Sequence, residues 1–274
     1  MDALLLGEVL NGPGLDQKIL GELIRFLDEK KPSPASSGQL ALEIGRFFLG
    51  TPYTAGSLET KGAERFVVNL RGFDCMTFVE SLVALAWNIG SRESSFEAFR
   101  DLLRKVRYRQ GRLLGYPSRL HYFSDWVRDN QKKGIVRDVT AAIGGRPLRK
   151  VLNFMTAHPG LYPPLRDATI LRKMKSVERA IKRRALFFIP KTILRQLEHR
   201  IHAGDLIGIT TNIEGLDVQH VGLAARAKNR IHLLHASCEE GKVVLSKQTL
   251  YGYLVQSRTR TGVMVARISK TQRS

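Results

Sequence analysis

The chain has 274 residues, 43% of them hydrophobic, which is enough apolar content for one large core or a core with a small lobe. Its two cysteines, Cys75 and Cys238, exclude a disulfide framework, and no stretch approaches the ~18 apolar residues of a membrane span. The formal net charge of +19 favours anionic partners such as nucleic acid, an anionic membrane face or an acidic cell-wall polymer. The N-terminal run at residues 1–7 is apolar but has no basic n-region, so no signal peptide is predicted there.

Helical patterns occupy the first two thirds of the chain. Apolar residues recur at helical spacing in five segments, which are residues 15–27, 39–49, 75–89, 96–106 and 170–185. Ser37 and Ser95 are the predicted N-caps of the second and fourth segments. The Pro- and Ser-rich stretch at residues 31–38 predicts a connector, and residues 66–68 form a short strand candidate in the loop before Cys75.

The last third of the chain changes to strand patterns. Short β-prone segments divided by turn residues lie at residues 205–210, 219–225, 230–236, 242–246 and 263–269. Helices followed by an antiparallel sheet predict an α+β domain in which the helices are segregated to one side.

Cys75 is the first candidate for chemistry. It follows Arg71-Gly72-Phe73-Asp74 and begins an apolar helical segment, so it lies at or near a helix N-terminus. Unpaired backbone N–H groups and the helix dipole favour a thiolate at that position, which makes Cys75 a candidate nucleophile. The alternative is a small buried cysteine in a core helix, because free cysteine is among the most buried residue types.

A cysteine nucleophile needs a proton acceptor, usually histidine, and a third polar group that orients the ring. In the predicted hairpin of the second and third strand segments, we expect Ala225 to pair with Arg230. That register places His220 opposite His235 on one face of the sheet, so His220 is the candidate base and His235 its support. The alternatives are satisfied strand histidines, or a zinc site that would use His235 and Cys238.

Two basic segments, at residues 100–112 and 172–184, concentrate the positive charge. Both also carry apolar residues at helical spacing, so they are interpreted as solvated basic faces of helices. Because few aromatic residues are interleaved for stacking on bases, they are weak indications of nucleic-acid binding, and no specific nucleic-acid partner is predicted. A non-catalytic polyanion-binding module is the alternative function that the net charge suggests.

Several short motifs, in their order along the chain, resemble those of the NlpC-type cysteine hydrolases of bacterial cell-wall peptides. These motifs are Gly50-Thr51-Pro52-Tyr53, Gly72-Phe73-Asp74-Cys75, Gly204-Asp205-Leu206 and Gln219-His220-Val221-Gly222. A second set is similar to the N-acetylmuramoyl-L-alanine amidase-like branch, and it consists of residues 64–80, residues 118–126, Asn153-Phe154-Met155 and Leu234-His235-Ala236-Ser237. The resemblance covers about residues 40–260, which is most of the chain.

The resemblance implies a papain-like (NlpC-type) core, in which helices pack on an antiparallel β-sheet or half-barrel, with extra helical insertions. It implies an N-terminal helical extension at residues 1–37 and a cysteine hydrolase domain at residues 38–274. The helical insertion of that domain would lie around residues 91–200.

The resemblance also assigns catalytic roles. Cys75 would be the nucleophile, His220 the general base and His235 the orienting third member, with no metal or other cofactor. Two positions depart from the family pattern. Met76 stands where a small hydroxyl residue is common, and Cys238 stands where a serine is expected.

For the substrate, the resemblance implies muropeptides. Tyr53 matches a tyrosine that lies beside the cysteine in this superfamily, and Arg119, Tyr122 and Asp125 are the expected stem-peptide contacts. The implied reaction is hydrolysis of the amide bond between N-acetylmuramic acid and L-alanine in peptidoglycan or its fragments. The alternative is an endopeptidase that cuts between D-glutamate and the diamino acid of the stem. Members of the family are usually exported, which implies the periplasm or cell envelope, and the lack of a predicted signal peptide leaves the cytoplasm open. The oligomeric state is not implied.

Overall fold

Among the described residues, five α-helices precede the first strand and four more lie between later strands. The computed structural model describes residues 13–31, 36–59, 62–91 and 94–270. Within these ranges the α-helices are α1 (Pro13–Lys30), α2 (Ser37–Phe47), α3 (Cys75–Ile89), α4 (Phe96–Arg107), α5 (Phe123–Lys132), α6 (Phe154–Ala157), α7 (Ala168–Lys182), α8 (Lys191–Leu197) and α9 (Leu250–Val255). The apolar run at residues 1–7 and most of the predicted connector, at residues 32–35, lie outside the described residues.

The strands form one antiparallel sheet. They are β1 (Val136–Asp138), β2 (Arg146–Leu148), β3 (Leu186–Pro190), β4 (Leu206–Thr211), β5 (Val218–Ala227), β6 (Arg230–Ser237), β7 (Lys242–Thr249) and β8 (Arg260–Ile268). The strand order is β2-β3-β8-β4-β5-β6-β7, and β1 pairs with the C-terminal part of β8. The prediction that helices combine with an antiparallel sheet is therefore confirmed.

Helix α3 is the centre of the core. Its sequence is apolar on nearly every face, which is typical of a helix that is buried all round. Phe78, Leu82 and Leu85 have no exposed surface, and each such side chain contributes about 1.5–3 kcal/mol when removed from water. The helix packs against α2 and α4 and against strands β5 and β6. Its N-terminal residue is therefore held at a fixed place against the sheet.

Helix α1 packs into the same core. Leu20, Leu23 and Leu27 are buried in the cluster that contains α3. The carboxylate of Asp16 accepts a hydrogen bond from the backbone N–H of Leu70 at 2.9 Å, in the loop that leads to α3. The N-terminal helix thus supports that loop, while the division of the chain at residue 37 stays a prediction. No helix within the described ranges combines the length and hydropathy needed to cross a bilayer.

Some local predictions need correction. The N-cap of α2 is Ser36, whose side chain accepts from the N–H of Gln39, because the helix begins at Ser37. Residues 66–68 form no strand, since Arg107 Nη1 donates to the carbonyl of Val67 at 2.5 Å in place of a neighbouring strand. Helix α5 and strands β1, β2 and β3 were not predicted, because their short or mixed patterns are completed by packing with distant segments.

The hairpin of β5 and β6 has a different register from the predicted one. Its turn consists of residues 228–229, both with positive φ, which is typical of a two-residue hairpin turn. Ala227 pairs with Arg230 and Ala225 pairs with His232, so the expected pairing of Ala225 with Arg230 is wrong by two residues. Because side chains alternate along a strand, a shift of two keeps every residue on its predicted face.

A close backbone contact joins α2 to the start of β4. Gly204 has φ +87°, and a Cβ atom at this position would overlap the carbonyl oxygen of Gly38 in the first turn of α2. Both the backbone conformation and the available space therefore require glycine at position 204.

We expect Gly204→Ala to lower the free energy of unfolding by about 2–4 kcal/mol, because it adds backbone strain to a steric overlap. Urea denaturation measures this. The control is Gly21→Ala at an exposed position of α1, where no atom lies within 4 Å of the added Cβ and stability should be unchanged or slightly higher. Equal stabilities of the two variants would contradict the contact.

Candidate active site

A capping box fixes the start of α3 and therefore the position of Cys75. Asp74 is the N-cap, and its carboxylate accepts from the backbone N–H of Thr77 at 2.7 Å. In return, the backbone N–H of Asp74 donates to the Thr77 hydroxyl at 2.9 Å. This reciprocal pair satisfies two helix-end donors and holds the cysteine as the first residue of the helix.

The sulfur of Cys75 is desolvated. Burial and the neighbouring Asp74 carboxylate raise the pKa of the Cys75 thiol to about 12, although backbone N–H groups of Val221, Cys75 and Met76 act in the opposite direction. The thiolate expected from the helix N-terminus is therefore wrong for the free protein, because desolvation outweighs the N–H groups. Cys75 is a thiol at neutral pH and needs a base to become a nucleophile.

His220 and His235 form a hydrogen-bonded pair. The distance from Nε2 of His220 to Nδ1 of His235 is 2.7 Å, and the rings are nearly perpendicular at a centroid distance of 4.8 Å. With the observed register the two lie diagonally across β5 and β6 rather than opposite each other. A Cβ at Gly222 would come within 2.9 Å of the His235 Cβ, so glycine at 222 leaves His235 the space beside β5.

Both histidines are neutral at pH 7. Burial, the neighbouring His235 and the positive charge of Arg260 together lower the pKa of His220 to about 3. Burial likewise lowers the pKa of His235 to about 4, again with a contribution from Arg260. A neutral imidazole has a free lone pair, so His220 is in the form that can accept a proton.

The structure brings the cysteine to the strand that carries the first histidine. The backbone N–H of Val221, the residue after His220, hydrogen-bonds to the Cys75 sulfur. Tyr53 is a neighbour of Cys75, Asp74 and Cys238. Burial and these neighbours together raise the pKa of the Tyr53 hydroxyl to about 12.

Two residues near the histidines were missed by sequence reasoning. The ring of Tyr253 lies 5.6 Å from that of His235 and 6.2 Å from that of His220, between centroids. The guanidinium carbon of Arg260 lies 3.8 Å from the Tyr253 centroid. No motif marks either residue, because Tyr253 belongs to a short helix after β7 and Arg260 to the start of β8.

The expected stem-peptide contacts have protein partners in the structure. Arg119 is 6% exposed, and its guanidinium contacts Glu59 at 2.5 Å and Glu64 at 3.5 Å. It thereby holds the loop before α3, and its role towards the substrate stays a prediction.

Tyr122 and Asp125 are buried as well. The Tyr122 hydroxyl donates to the Glu178 carboxylate at 2.8 Å. The Asp125 carboxylate accepts from Arg109 at 2.6 Å and from Arg184 at 2.7 Å, beside a cavity of about 340 Å³. Both residues join α5 to neighbouring segments, so their contact with a substrate also stays a prediction.

In the part of the chain that the structure describes, the cysteines and histidines do not form a metal-binding site. No three His, Cys, Asp or Glu side chains converge there as ligands. Cys238 is exposed, and neither it nor Cys75 is in a disulfide. The zinc alternative therefore gains no third ligand among these residues.

The lowered pKa values predict a pH-dependent stability. Unfolded histidine has a pKa of about 6.5, so between pH 6.5 and about 4 the unfolded chain binds more protons than the folded one, and stability falls as the pH is lowered. We expect the double variant His220→Gln/His235→Gln to reduce this slope by about 1–2 kcal/mol per pH unit in urea denaturation. His199→Gln removes an exposed histidine and should keep the wild-type slope. An unchanged slope in the double variant would contradict the lowered pKa values of the two histidines.

Comparison with known proteins identifies the family. The sequence model of the AmiA-like family, described as N-acetylmuramoyl-L-alanine amidase-like, matches residues 43–263. No curated protein matches the chain significantly.

Solved structures share the fold. An N-acetylmuramoyl-L-alanine amidase from Bacteroides uniformis is 38% identical, with a TM-score of 0.80, covering 84% of this chain and 99% of its own. A Bacteroides fragilis protein, provisionally named a xylanase, is also 38% identical, with a TM-score of 0.76 and coverages of 82% and 99%. Protein LPG0564 from Legionella pneumophila has a TM-score of 0.72 at 23% identity, covering 93% of this chain and 95% of its own, and shares the fold alone. The match over most of its length shows that the chain belongs to the AmiA-like family of N-acetylmuramoyl-L-alanine amidase-like proteins.

Proposed function

We propose that the protein is a cysteine-dependent amidase, with a papain-like core, that cleaves the bond between N-acetylmuramic acid and L-alanine in peptidoglycan or muropeptides. The observation that carries this proposal is the hydrogen-bonded pair His220–His235 on a strand whose next residue, Val221, contacts the Cys75 sulfur. Family membership supports the substrate class.

Proton transfer from Cys75 to His220 is the first step. When Nε2–H of His220 donates to Nδ1 of His235, Nδ1 of His220 carries the lone pair that accepts the thiol proton. The resulting thiolate and imidazolium stabilise each other, which offsets the desolvation that keeps both groups neutral in the free protein. His235 fixes the tautomer and orientation of the base, which is the part a carboxylate or amide plays in other triads.

Acyl transfer then follows in two half-reactions. The thiolate attacks the amide carbonyl of N-acetylmuramic acid, a C–S bond forms, and the carbonyl electrons move to the oxygen, which backbone N–H at the start of α3 would stabilise. His220 returns its proton to the departing nitrogen of L-alanine, and the C–N bond breaks. Water, deprotonated by His220, hydrolyses the thioester and restores the thiol.

The charge of the protein suits such a substrate. A net charge of +19 attracts anionic wall material and stem peptides that carry carboxylates. As part of this proposal, the protein would act at the cell envelope, where peptidoglycan lies. The polyanion-binding alternative rests on the same charge but gives the hydrogen-bonded pair His220–His235 no role.

Replacing the nucleophile tests the reaction. We expect Cys75→Ala to lower kcat/KM for muropeptides by at least about 10⁴-fold with little change in Tm, because attack on the amide then lacks its sulfur. Product analysis by liquid chromatography and mass spectrometry gives both rate and bond. Cys238→Ala, which removes the other thiol, is the matched control and should retain cleavage.

Three outcomes would count against this assignment. Retained turnover in Cys75→Ala would exclude Cys75 as the nucleophile. Release of a diamino-acid peptide, in place of the free L-alanyl peptide, would favour the endopeptidase. Salt-sensitive DNA binding without muropeptide cleavage would favour the polyanion-binding module.

The role of His235 has a separate test. His235→Gln keeps an oxygen that can accept from Nε2–H of His220, whereas His235→Leu does not. We expect the Leu variant to lose about 10²–10⁴-fold in kcat and the Gln variant to retain most activity, since only the former leaves the base unoriented. Steady-state kinetics measures both, with circular dichroism to check folding. Equal losses in the two variants would show that His235 acts otherwise than as an acceptor.

A further inference from the structure

Arg260 is a buried cation beside the histidine pair. The residue is 9% exposed, and Nη1 donates to the backbone carbonyl of Tyr253 at 2.6 Å. The guanidinium also stacks on the Tyr253 ring, which in turn contacts both His220 and His235. Its positive charge reaches the site, since it lowers the pKa of each histidine.

The charge of Arg260 is poorly compensated. Its ion pair is with Glu239, whose carboxylate lies 3.4 Å away on a side chain that is 80% exposed. Nε has no hydrogen-bond partner among the residues that the structure describes. By contrast, the buried Arg107 meets the buried Glu80 carboxylate at 2.6 Å. A buried guanidinium is normally paired with a carboxylate, so the Arg260 guanidinium can bind a further carboxylate.

The ion pair of Arg260 and Glu239 lies at the edge of the proposed site. Glu239 directly follows Cys238, whose side chain contacts Tyr53, and Tyr53 neighbours Cys75. Glu239 can leave Arg260 at little cost to its own carboxylate, because its side chain is 80% exposed and stays solvated when the pair opens. An incoming carboxylate can therefore replace it without leaving a buried charge unpaired.

We propose that Arg260 binds the free α-carboxylate of the D-glutamyl residue in the stem peptide, displacing Glu239. The inference rests on the proposed function, because the substrate chemistry comes from it. In that substrate the muramic carboxyl is consumed in the amide, and L-alanine has no charge. The D-glutamyl residue is joined to L-alanine through its amine and to the diamino acid through its γ-carboxyl, so its α-carboxylate is the first anion beyond the scissile bond.

The experiment measures the kcat/KM of the wild type and of each variant on two substrates. One muropeptide carries D-glutamate with its α-carboxylate free, and the other carries the α-amide. We expect the wild type to prefer the carboxylate by about 10- to 100-fold in kcat/KM, chiefly through KM, as for loss of a charge-assisted hydrogen bond. Arg260→Met should cleave both substrates equally, and Arg260→Lys should keep part of the preference. Glu239→Gln removes the competing carboxylate and should lower KM for the acid substrate.

A binding measurement separates this inference from the proposed function. Calorimetry with the stem tripeptide, α-carboxylate free or amidated, needs no turnover and uses Cys75→Ala alone and combined with Arg260→Met or Arg260→Lys. We expect tighter binding of the free acid, lost with Met and partly kept with Lys. Preference that persists in Arg260→Met, or no preference in the parent, would overturn the inference.

The failure patterns are distinct. Equal losses on both muropeptides in Arg260→Met would also overturn the inference, since they would show that Arg260 only supports Tyr253 and the histidines. Should Arg260→Met fail to fold, the Lys variant and the wild-type preference between the two peptides still decide. Absence of cleavage by the wild type, together with Arg260-dependent binding of the free acid, would overturn the proposed reaction while supporting the carboxylate site.

Discussion

Desolvation of the three residues Cys75, His220 and His235 is the constraint on which the candidate site depends. Burial raises the pKa of the thiol and lowers the pKa of both imidazoles, so all three are neutral in the free protein. A neutral triad can be enclosed without the cost of burying separated charges. The Cys75 thiol also stays protonated until the thiolate and the imidazolium can form together. The hydrogen bond of 2.7 Å between the histidines holds the ring of His220, the proposed proton acceptor, in one orientation against His235.

The rest of the fold holds this site by packing and by buried ion pairs. Helix α3 contains the carboxylate of Glu80, which is paired with Arg107 at 2.6 Å, both residues being about 2% exposed. Burial raises the pKa of Glu80, and Arg107 opposes that shift. Because Arg107 also binds the carbonyl of Val67, it ties the loop before α3 to the helix itself. Such a pair is expensive to break, since removal of one partner leaves a buried charge, so it favours a single arrangement of loop and helix.

Features set by neighbouring residues could be predicted from the sequence. Features that depend on contacts between distant segments could not. The apolar run after Cys75 predicted α3, and strand alternation predicted that His220 and His235 share a face. The register was wrong because the turn at residues 228–229 has no glycine to mark it, yet the even shift preserved the pairing face. The protonation state of Cys75 could not be predicted, because the helix N-terminus is local whereas desolvation comes from the folded surroundings. Arg260 lies 25 residues beyond His235 without any motif, so only the structure shows that the two are neighbours.

In the proposed reaction, the charge of Arg260 would link substrate binding to proton transfer. In the free protein its poorly compensated charge disfavours an imidazolium at His220, which opposes formation of the thiolate pair. A carboxylate bound to Arg260 would offset that charge, so the pKa of His220 would rise when the proposed substrate arrives. The base would then become stronger only in the complex, and the thiol would stay protonated in its absence. On this view the same guanidinium that selects an acidic stem peptide also restrains the nucleophile until one is bound.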